Sequence, residues 1–222
     1  MYDVISKTFL TNAGTGTFTA GPNAPVSSPV YDITGYKNHG TVVGSLTAAA
    51  GSPRYKTAIY GNSSSLIKLQ ESSFELINPT QFSISFWIKG TPNGYPVVFS
   101  HTDFAYFRAW INGDKFYFRD NDSGTSNGTA KNVSIGTWRD GQWHHIVISY
   151  NSTKVSSFNN GGYVVQDLAV AGTYMTKFNR IGIFGNSDSG TYIYDGTISD
   201  FRLYVTALTE DDAIELYSLG HI

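Results

Sequence analysis

Apolar and polar residues alternate with a period of two in several short segments of the chain. The clearest case is FSISFWIKG, from Phe82 to Gly90, where Phe82, Ile84, Phe86 and Ile88 alternate with Ser, Ser, Trp and Lys. Successive side chains of a β-strand point to opposite faces, so this pattern predicts a strand with one buried face.

Three pairs of such segments are predicted to pair with each other. AYFRAW and KFYFR flank Asn112-Gly113, and an Asn-Gly dipeptide favours a two-residue hairpin turn because both positions tolerate a positive φ. WHHIVISY and KVSSF flank the turn residues Asn151, Ser152 and Thr153. RIGIF and TISDFRLYV form a third predicted pair near the end of the chain.

The remaining chain adds one strand, one long irregular segment and one helix. Tyr2 to Leu10 reads as a strand, and residues 11–29 are rich in Gly, Thr and Pro, so residues 1–29 are predicted to be a strand followed by an arm or loop of the same domain. A helix is predicted only at LTEDDAIELY, with Thr209 as its N-cap and acidic residues in its first turn. Strands without intervening helices favour a single antiparallel sandwich or barrel over residues 30–222.

Composition narrows the classes of function. The 222 residues include 15 Tyr, 14 Phe, 4 Trp and 23 Gly, which suit strands joined by tight turns. A formal net charge of −2 gives no basic stripe for phosphate neutralisation, so no nucleic-acid partner is expected. No apolar run is long enough for a membrane span, and the first twenty residues carry no signal-peptide pattern. Without Cys, neither disulfides nor thiolate metal sites can form.

Four motifs resemble those of the laminin-G-like, concanavalin-A-like jelly-roll family, in the order in which the family has them. They are YDITGYKNHGTVVG, FSISFWIKG, GQWHHIVISYNSTKVSSFNNGGYV and ISDFRLYVTALTEDDAIELY, and together they cover roughly residues 31–217. The resemblance implies an all-β antiparallel jelly-roll sandwich with one short C-terminal helix. It implies little about function, because this fold hosts lectins, adhesion domains, glycosidases and viral surface proteins.

The same resemblance implies a structural Ca²⁺ site. The positions that match the family's ligands are Asp32, with Asn38 nearby, and Asp200. The chain has Ser199-Asp200 where the family has an acidic pair, so one carboxylate is missing. The competing interpretation is that Asp32 caps its own turn with its side chain.

Catalytic patterns are poorly supported. Glu210, Asp212 and Glu215 match the spacing of a glycosidase carboxylate set, but they lie in the predicted helix rather than on a strand. His144 and His145 are neighbours in a predicted strand and so face opposite sides, which prevents joint chelation of a metal. The chain is therefore predicted not to be an enzyme.

The Asn112-Gly113 hairpin is the most informative candidate for binding. With a turn at Asn112-Gly113, Arg108 would pair with Tyr117, Tyr106 with Arg119, and Trp110 with Lys115. One face of the hairpin would then carry an aromatic and cationic ladder of Tyr106, Arg108, Trp110, Tyr117 and Arg119. Such a ladder suits sugar rings, equally suits a protein interface, and could also pack beneath other parts of the chain.

These observations lead to an expected class of protein with alternatives. The expectation is a non-catalytic virion component, of phage type, acting in surface decoration or adhesion and binding glycans or other virion proteins, with self-assembly as a further outcome. It rests on the missing signal peptide, since a virion protein is released by lysis. The alternative is a secreted or cell-surface carbohydrate-binding lectin module, and a glycoside hydrolase comes last.

Overall fold

The computed structural model describes residues 6–9, 40–51, 57–61, 65–69, 81–94, 97–100, 107–120, 131–169, 180–184, 194–204 and 206–219. Over these ranges the chain forms fifteen strands and one helix, which confirms the predicted all-β class with a short C-terminal helix. In chain order they are β1 Ser6–Phe9, β2 Gly40–Val43, β3 Leu46–Ala50, β4 Thr57–Gly61, β5 Ser65–Leu69, β6 Gln81–Gly94, β7 Val97–Ser100, β8 Phe107–Asn112, β9 Lys115–Asp120, β10 Lys131–Ser134, β11 His144–Asn151, β12 Lys154–Asn159, β13 Gly162–Ala169, β14 Arg180–Phe184, β15 Tyr194–Tyr204 and α1 Glu210–Ser218.

The strands form two antiparallel sheets. The eight-stranded sheet has the order β13-β12-β11-β6-β15-β4-β3, with β1 paired to β15 beside this path. The seven-stranded sheet has the order β10-β9-β8-β7-β14-β5-β2. Neighbours in this order are often distant in sequence, as expected for a jelly roll rather than a meander.

The main core lies between the two sheets. Phe86 and Ile146 of the eight-stranded sheet and Ile111 and Phe116 of the seven-stranded sheet belong to one cluster of buried side chains. Each of these side chains is at most 1% exposed. Full burial of side chains of this size contributes about 1.5–3 kcal/mol each, so this layer accounts for much of the stability of the fold.

Strand β6 is buried on both faces, which corrects the prediction of a single buried face. Phe82, Ile84, Phe86 and Ile88 face the main core as expected, but Ser83, Ser85 and Trp87 on the other face are also no more than 1% exposed. The segment that follows β15 covers this face. The Leu208 N–H donates to Ser83 Oγ at 2.8 Å, and Ser149 Oγ donates to the Leu208 carbonyl at 2.8 Å.

Helix α1 closes the second face with a small apolar cluster that includes Val147, Phe158, Tyr204 and Ala213. Thr209 is its N-cap as predicted, in a capping box with Asp212. The Asp212 N–H donates to Thr209 Oγ1 at 3.3 Å, and the Thr209 N–H donates to Asp212 Oδ2 at 2.8 Å. These bonds satisfy amides that would otherwise be left at the start of the helix. In the part of the chain that the structure describes, no helix is long and apolar enough to cross a membrane.

One predicted hairpin is confirmed and another is wrong. Strands β11 and β12 pair in register from Ile146 with Asn159 to Asn151 with Lys154, around a turn in which Ser152 has φ +52°. RIGIF and TISDFRLYV do not pair: β14 lies in the seven-stranded sheet between β7 and β5, whereas β15 pairs with β6, β4 and β1. The residue pattern of a short apolar strand does not indicate whether it pairs with the next strand in sequence or with a more distant one.

The N-terminal strand is found at Ser6–Phe9, where it pairs with Phe201–Tyr204 of β15. The predicted arm at residues 11–29 lies outside the described residues, so the division at residue 29 stays a prediction.

Candidate binding face

The β8–β9 hairpin forms as predicted, but its register differs by two residues. Asn112 pairs with Lys115, Trp110 with Tyr117, and Arg108 with Arg119. The two turn residues are therefore Gly113 and Asp114, and only Gly113 has a positive φ, of +59°. Gly at the first central position is what a type II′ turn requires, so the predicted centre at Asn112-Gly113 and the pairs drawn from it are wrong.

A shift of two residues leaves the two faces unchanged, because side chains alternate with a period of two. Ala109, Ile111, Phe116 and Phe118 are at most 2% exposed and face the core. Trp110 and Tyr117 are half-buried on the opposite face. Their rings are stacked, with centroids 5.3 Å apart and an angle of 15° between the planes. The outer face of the hairpin thus carries an aromatic pair, as the ladder predicted.

Strand β10 extends this outer face with polar side chains. Asn132 pairs with Tyr117, and Ser134 pairs with Lys115, while the intervening Val133 is buried in the core. Asn132 and Ser134 therefore lie on the same face of the sheet as the aromatic pair. The sequence did not predict either residue as part of this face, because residues 121–130 separate β9 from β10 and no local pattern indicates that the two strands pair.

We call this surface the outer face, meaning the outward positions of β8, β9 and β10. By register it consists of Arg108, Trp110, Asn112, Lys115, Tyr117, Arg119, Asn132 and Ser134. The side chains of Arg108 and Arg119 lie outside the described part of the chain, and Tyr106 lies outside it altogether. Four of the five predicted ligand-binding residues thus occupy paired strand positions, and the ladder stays a prediction as a binding site.

The loop between β10 and β11 holds the turn of the hairpin. Trp138, which is 1% exposed, donates from Nε1 to the Gly113 carbonyl at 2.9 Å. The Ile135 N–H donates to the Asp114 carbonyl at 2.8 Å. Both turn carbonyls are thus bound by groups outside the hairpin, which fixes the end of the outer face. A preorganised surface loses less entropy when a ligand binds.

His144 and His145 face opposite sides, as predicted. His144 lies within hydrogen-bond distance of Asp140 Oδ1 on Nε2, at 3.0 Å, and of Asn159 Oδ1 on Nδ1, at 3.1 Å. The Gln142 N–H, and then His144, hold the pKa of Asp140 below its ordinary value of 3.8. His145 is buried against Trp87 and Tyr217, and its Nε2 is 2.8 Å from Ser85 Oγ. Both histidines connect parts of the fold.

Asp200, the one predicted calcium ligand within the described residues, forms a buried ion pair. It is 2% exposed, with φ +49°, and Arg202 Nε donates to its Oδ1 at 2.8 Å. One extra residue on β15 between the pairs Ser199–Trp87 and Arg202–Ser85 makes this a β-bulge. Burial opposes the charge of Arg202, but Asp200 and Tyr204 outweigh it, so the pKa of Arg202 is raised.

This ion pair fits a calcium site poorly, because the guanidinium already compensates the carboxylate. Asp32 and Asn38 lie outside the described residues. Among the residues that are described, His, Asp and Glu form no group of three that could hold a metal. The calcium site therefore stays a prediction.

A shallow groove of about 200 Å³ lies between α1 and β15. Its walls include Arg202, Tyr204, Leu208, Asp212 and Glu215. Asp212 and Glu215 belong to the carboxylate set considered for catalysis. Asp212 Oδ2 accepts hydrogen bonds from Thr209 in the capping box, which gives this carboxylate a structural role.

Comparison with known proteins connects the fold to one family. Residues 61–213 match the family model Laminin_G_3, described as the concanavalin A-like lectin/glucanases superfamily. No protein of curated function is significantly similar to the chain in sequence.

Solved structures with a similar fold include binding domains of toxins. The binding domain of botulinum neurotoxin DC in complex with rat synaptotagmin II is 19% identical, with a TM-score of 0.64 over 89% of this chain and 51% of that one. The binding domain of Paraclostridial mosquitocidal protein 1 is 17% identical, with a TM-score of 0.63 over 88% and 50%.

A structure of botulinum neurotoxin type C, whose cell entry depends on interaction with two ganglioside molecules, is 17% identical, with a TM-score of 0.64 over 90% of this chain and 51% of that one. The chain thus spans about half the length of these structures. At such low identity, the likeness concerns the fold alone.

Proposed function

The chain belongs to the concanavalin A-like lectin/glucanases superfamily, and from that premise we propose that it is a non-catalytic module that binds glycans through its outer face. The observation that carries this proposal is the stacked pair of Trp110 and Tyr117 on a hairpin whose turn is held by Trp138. Half-exposed aromatic rings offer apolar surface to the C–H faces of sugars, and neighbouring polar side chains can bond to hydroxyl groups.

The outer face supplies those polar groups in register. Asn132 is directly opposite Tyr117, and Asn112, Lys115 and Ser134 form the next row across the same three strands. Paired strand positions lie about 5 Å apart, which is close to the width of one sugar ring. A single pyranose stacked on the aromatic pair would therefore lie close to the amide of Asn132 and to the polar side chains of the adjacent row.

The structural neighbours support a binding role. Cell entry of one depends on interaction with ganglioside molecules, and another is a binding domain in complex with rat synaptotagmin II. We extend this to the present chain as a module that acts outside the cell or on a particle surface. The absence of catalysis belongs to the same proposal, since Asp212 of the candidate carboxylate set serves the helix cap.

A glycan array tests this function. We expect the wild-type chain to bind a defined subset of glycans, and we expect Trp110→Ala to lower that affinity about tenfold, as loss of an aromatic platform does. Tyr163→Ala is the matched control, because Tyr163 is an aromatic residue of the other sheet that is 38% exposed. Equal binding by wild type and Trp110→Ala would exclude the outer face as the glycan site.

A virion surface component of phage type is the second candidate, and one observation favours assembly. Strand β13 ends the described order of the eight-stranded sheet and exposes 38% of Tyr163 and 39% of Leu168. A terminal strand with exposed apolar residues can pair with another copy. If light scattering gives a monomer at every protein concentration tested, self-assembly through this edge is excluded.

A further inference from the structure

The outer face has only cationic residues among its charged positions, whereas the whole chain has a negative net charge. Three of its eight positions are cationic by residue type, namely Arg108, Lys115 and Arg119, and none is Asp or Glu. The whole chain has 15 Lys and Arg against 17 Asp and Glu. The charged positions of this face are thus all cationic by residue type, and a local excess of one sign attracts counter-ions even when the net charge of the chain is negative.

Lys115 connects this charge to the stacking surface. It lies two residues from Tyr117 on β9, which corresponds to about 6.5–7 Å along a strand, and its side chain is exposed. Its cross-strand partners are Asn112 and Ser134, which are uncharged. The nearest described carboxylate along the chain is Asp114, which lies in the turn and not at an outward strand position.

These distances match a sugar that carries its own carboxylate. In a uronic acid the carboxylate is attached directly to the pyranose ring. When that ring stacks on Tyr117, the carboxylate lies within reach of a flexible lysine side chain based 6.5–7 Å away, as the strand spacing gives. A neutral sugar would use the aromatic rings and the two Asn residues but would leave the ammonium group without an anionic partner.

We propose that the outer face selects acidic glycans whose charge is a carboxylate on the sugar ring. This inference rests on the proposed function, because it names the class of ligand for the same site. The aromatic pair supplies affinity for sugar rings in general, and the cationic positions discriminate acidic from neutral rings.

Calorimetric titration of the whole chain with two matched ligands tests the selection. The ligands are a tetrasaccharide of galacturonic acid and the same tetrasaccharide as its methyl ester, which keeps the rings and removes the charge. We expect the acid to bind more tightly than the ester, and this advantage to shrink at high salt because the site is exposed. Lys115→Ala should reduce binding of the acid about two- to fivefold and leave the ester unchanged.

Lys154→Ala is the matched control, since Lys154 is an exposed lysine of the other sheet with 53% of its side chain accessible. It should leave both affinities unchanged. Trp110→Ala should weaken both ligands about tenfold. Circular dichroism spectra that match the wild type would show that each variant folds.

The possible failures are distinguishable. If acid and ester bind equally, the selection is refuted while glycan binding stands. Absence of binding by every sugar, on the array as well as in titration, would refute the proposed function itself. Tighter binding of a sulfated tetrasaccharide without carboxylates, or of a tetraglutamate peptide, would also overturn the carboxyl-sugar assignment.

Discussion

The buried ion pair at the bulge of β15 allows a sharp prediction of stability. Asn is close in shape to Asp and tolerates the left-handed conformation, so Asp200→Asn at φ +49° removes the charge with little change in backbone strain. Asp200 and Arg202 are 2% and 9% exposed, so Arg202 would keep a buried charge without its carboxylate. Breaking a buried pair in this way costs about 3–5 kcal/mol. Because an amide oxygen remains at the same position, Asp200→Asn should lower the free energy of unfolding by about 3 kcal/mol.

The matched control is Asp167→Asn. Asp167 also has a positive φ, of +52°, and lies 3.2 Å from Lys154, but both side chains of this pair are more than half exposed. An exposed pair contributes about 0–1 kcal/mol, so Asp167→Asn should be nearly neutral. Equilibrium unfolding in urea measures both free energies of unfolding, and a constant slope with denaturant would show that the unfolded states are comparable.

Equal destabilisation by the two variants would refute the buried-pair reasoning. The same samples test the calcium prediction. If Asp200 ligates Ca²⁺, a chelator lowers the melting temperature of the wild type but not that of Asp200→Asn, because a ligand that binds only the folded state stabilises it. If Asp200 serves only the ion pair with Arg202, a chelator leaves the melting temperature of both proteins unchanged.

Three further predictions concern the hairpin turn and the loop that holds it. Trp138→Phe should lower the free energy of unfolding by about 2–3 kcal/mol, from the lost bond to the Gly113 carbonyl and a smaller buried ring, as measured by urea unfolding. Gly113→Ala should cost about 1 kcal/mol, since φ is +59° but no atom lies within 4 Å of the added Cβ; a larger loss would indicate a clash instead of strain. Asp140→Asn should lower the melting temperature at neutral pH but not at acid pH. Because folding lowers the pKa of Asp140, its ionised carboxylate stabilises the fold when the pH is above the ordinary pKa of 3.8. This contribution is lost as the pH falls through the folded-state pKa, so an equal effect of Asp140→Asn at pH 2 and pH 7 would contradict the prediction.

Local patterns predicted the individual strands and the helix well. The alternation in FSISFWIKG and the Thr209 N-cap are set by neighbouring residues, and both appear in the structure where they were expected. The second buried face of β6 could not be predicted in this way, because Ser83 and Ser85 have the polarity of surface residues. Ser83 is buried because a segment more than a hundred residues later lies over it, and Ser85 Oγ lies 2.8 Å from Nε2 of His145 on the neighbouring strand.

Pairing between distant segments was the harder part. The hairpin register was wrong by two residues because Asn112-Gly113 and Gly113-Asp114 are both good turn dipeptides, and the Trp138 and Ile135 bonds to the Gly113-Asp114 turn come from another loop. The shared face of Trp110 and Tyr117 was nevertheless predicted, because a shift of two residues leaves the alternation of side chains unchanged. The Asp200–Arg202 pair was not predicted from the sequence.

The most direct test of the outer face as a glycan site is a nuclear magnetic resonance titration of the whole chain with the best ligand from the array. Binding at the outer face should give concentration-dependent shifts at the indole N–H of Trp110 and at the amides of Tyr117 and Asn132, and it should leave the resonances along the groove beside α1 unchanged. The residues of that groove include Leu208 and Glu215. Shifts confined to that groove, with none on the outer face, would show that the glycan does not bind at the outer face.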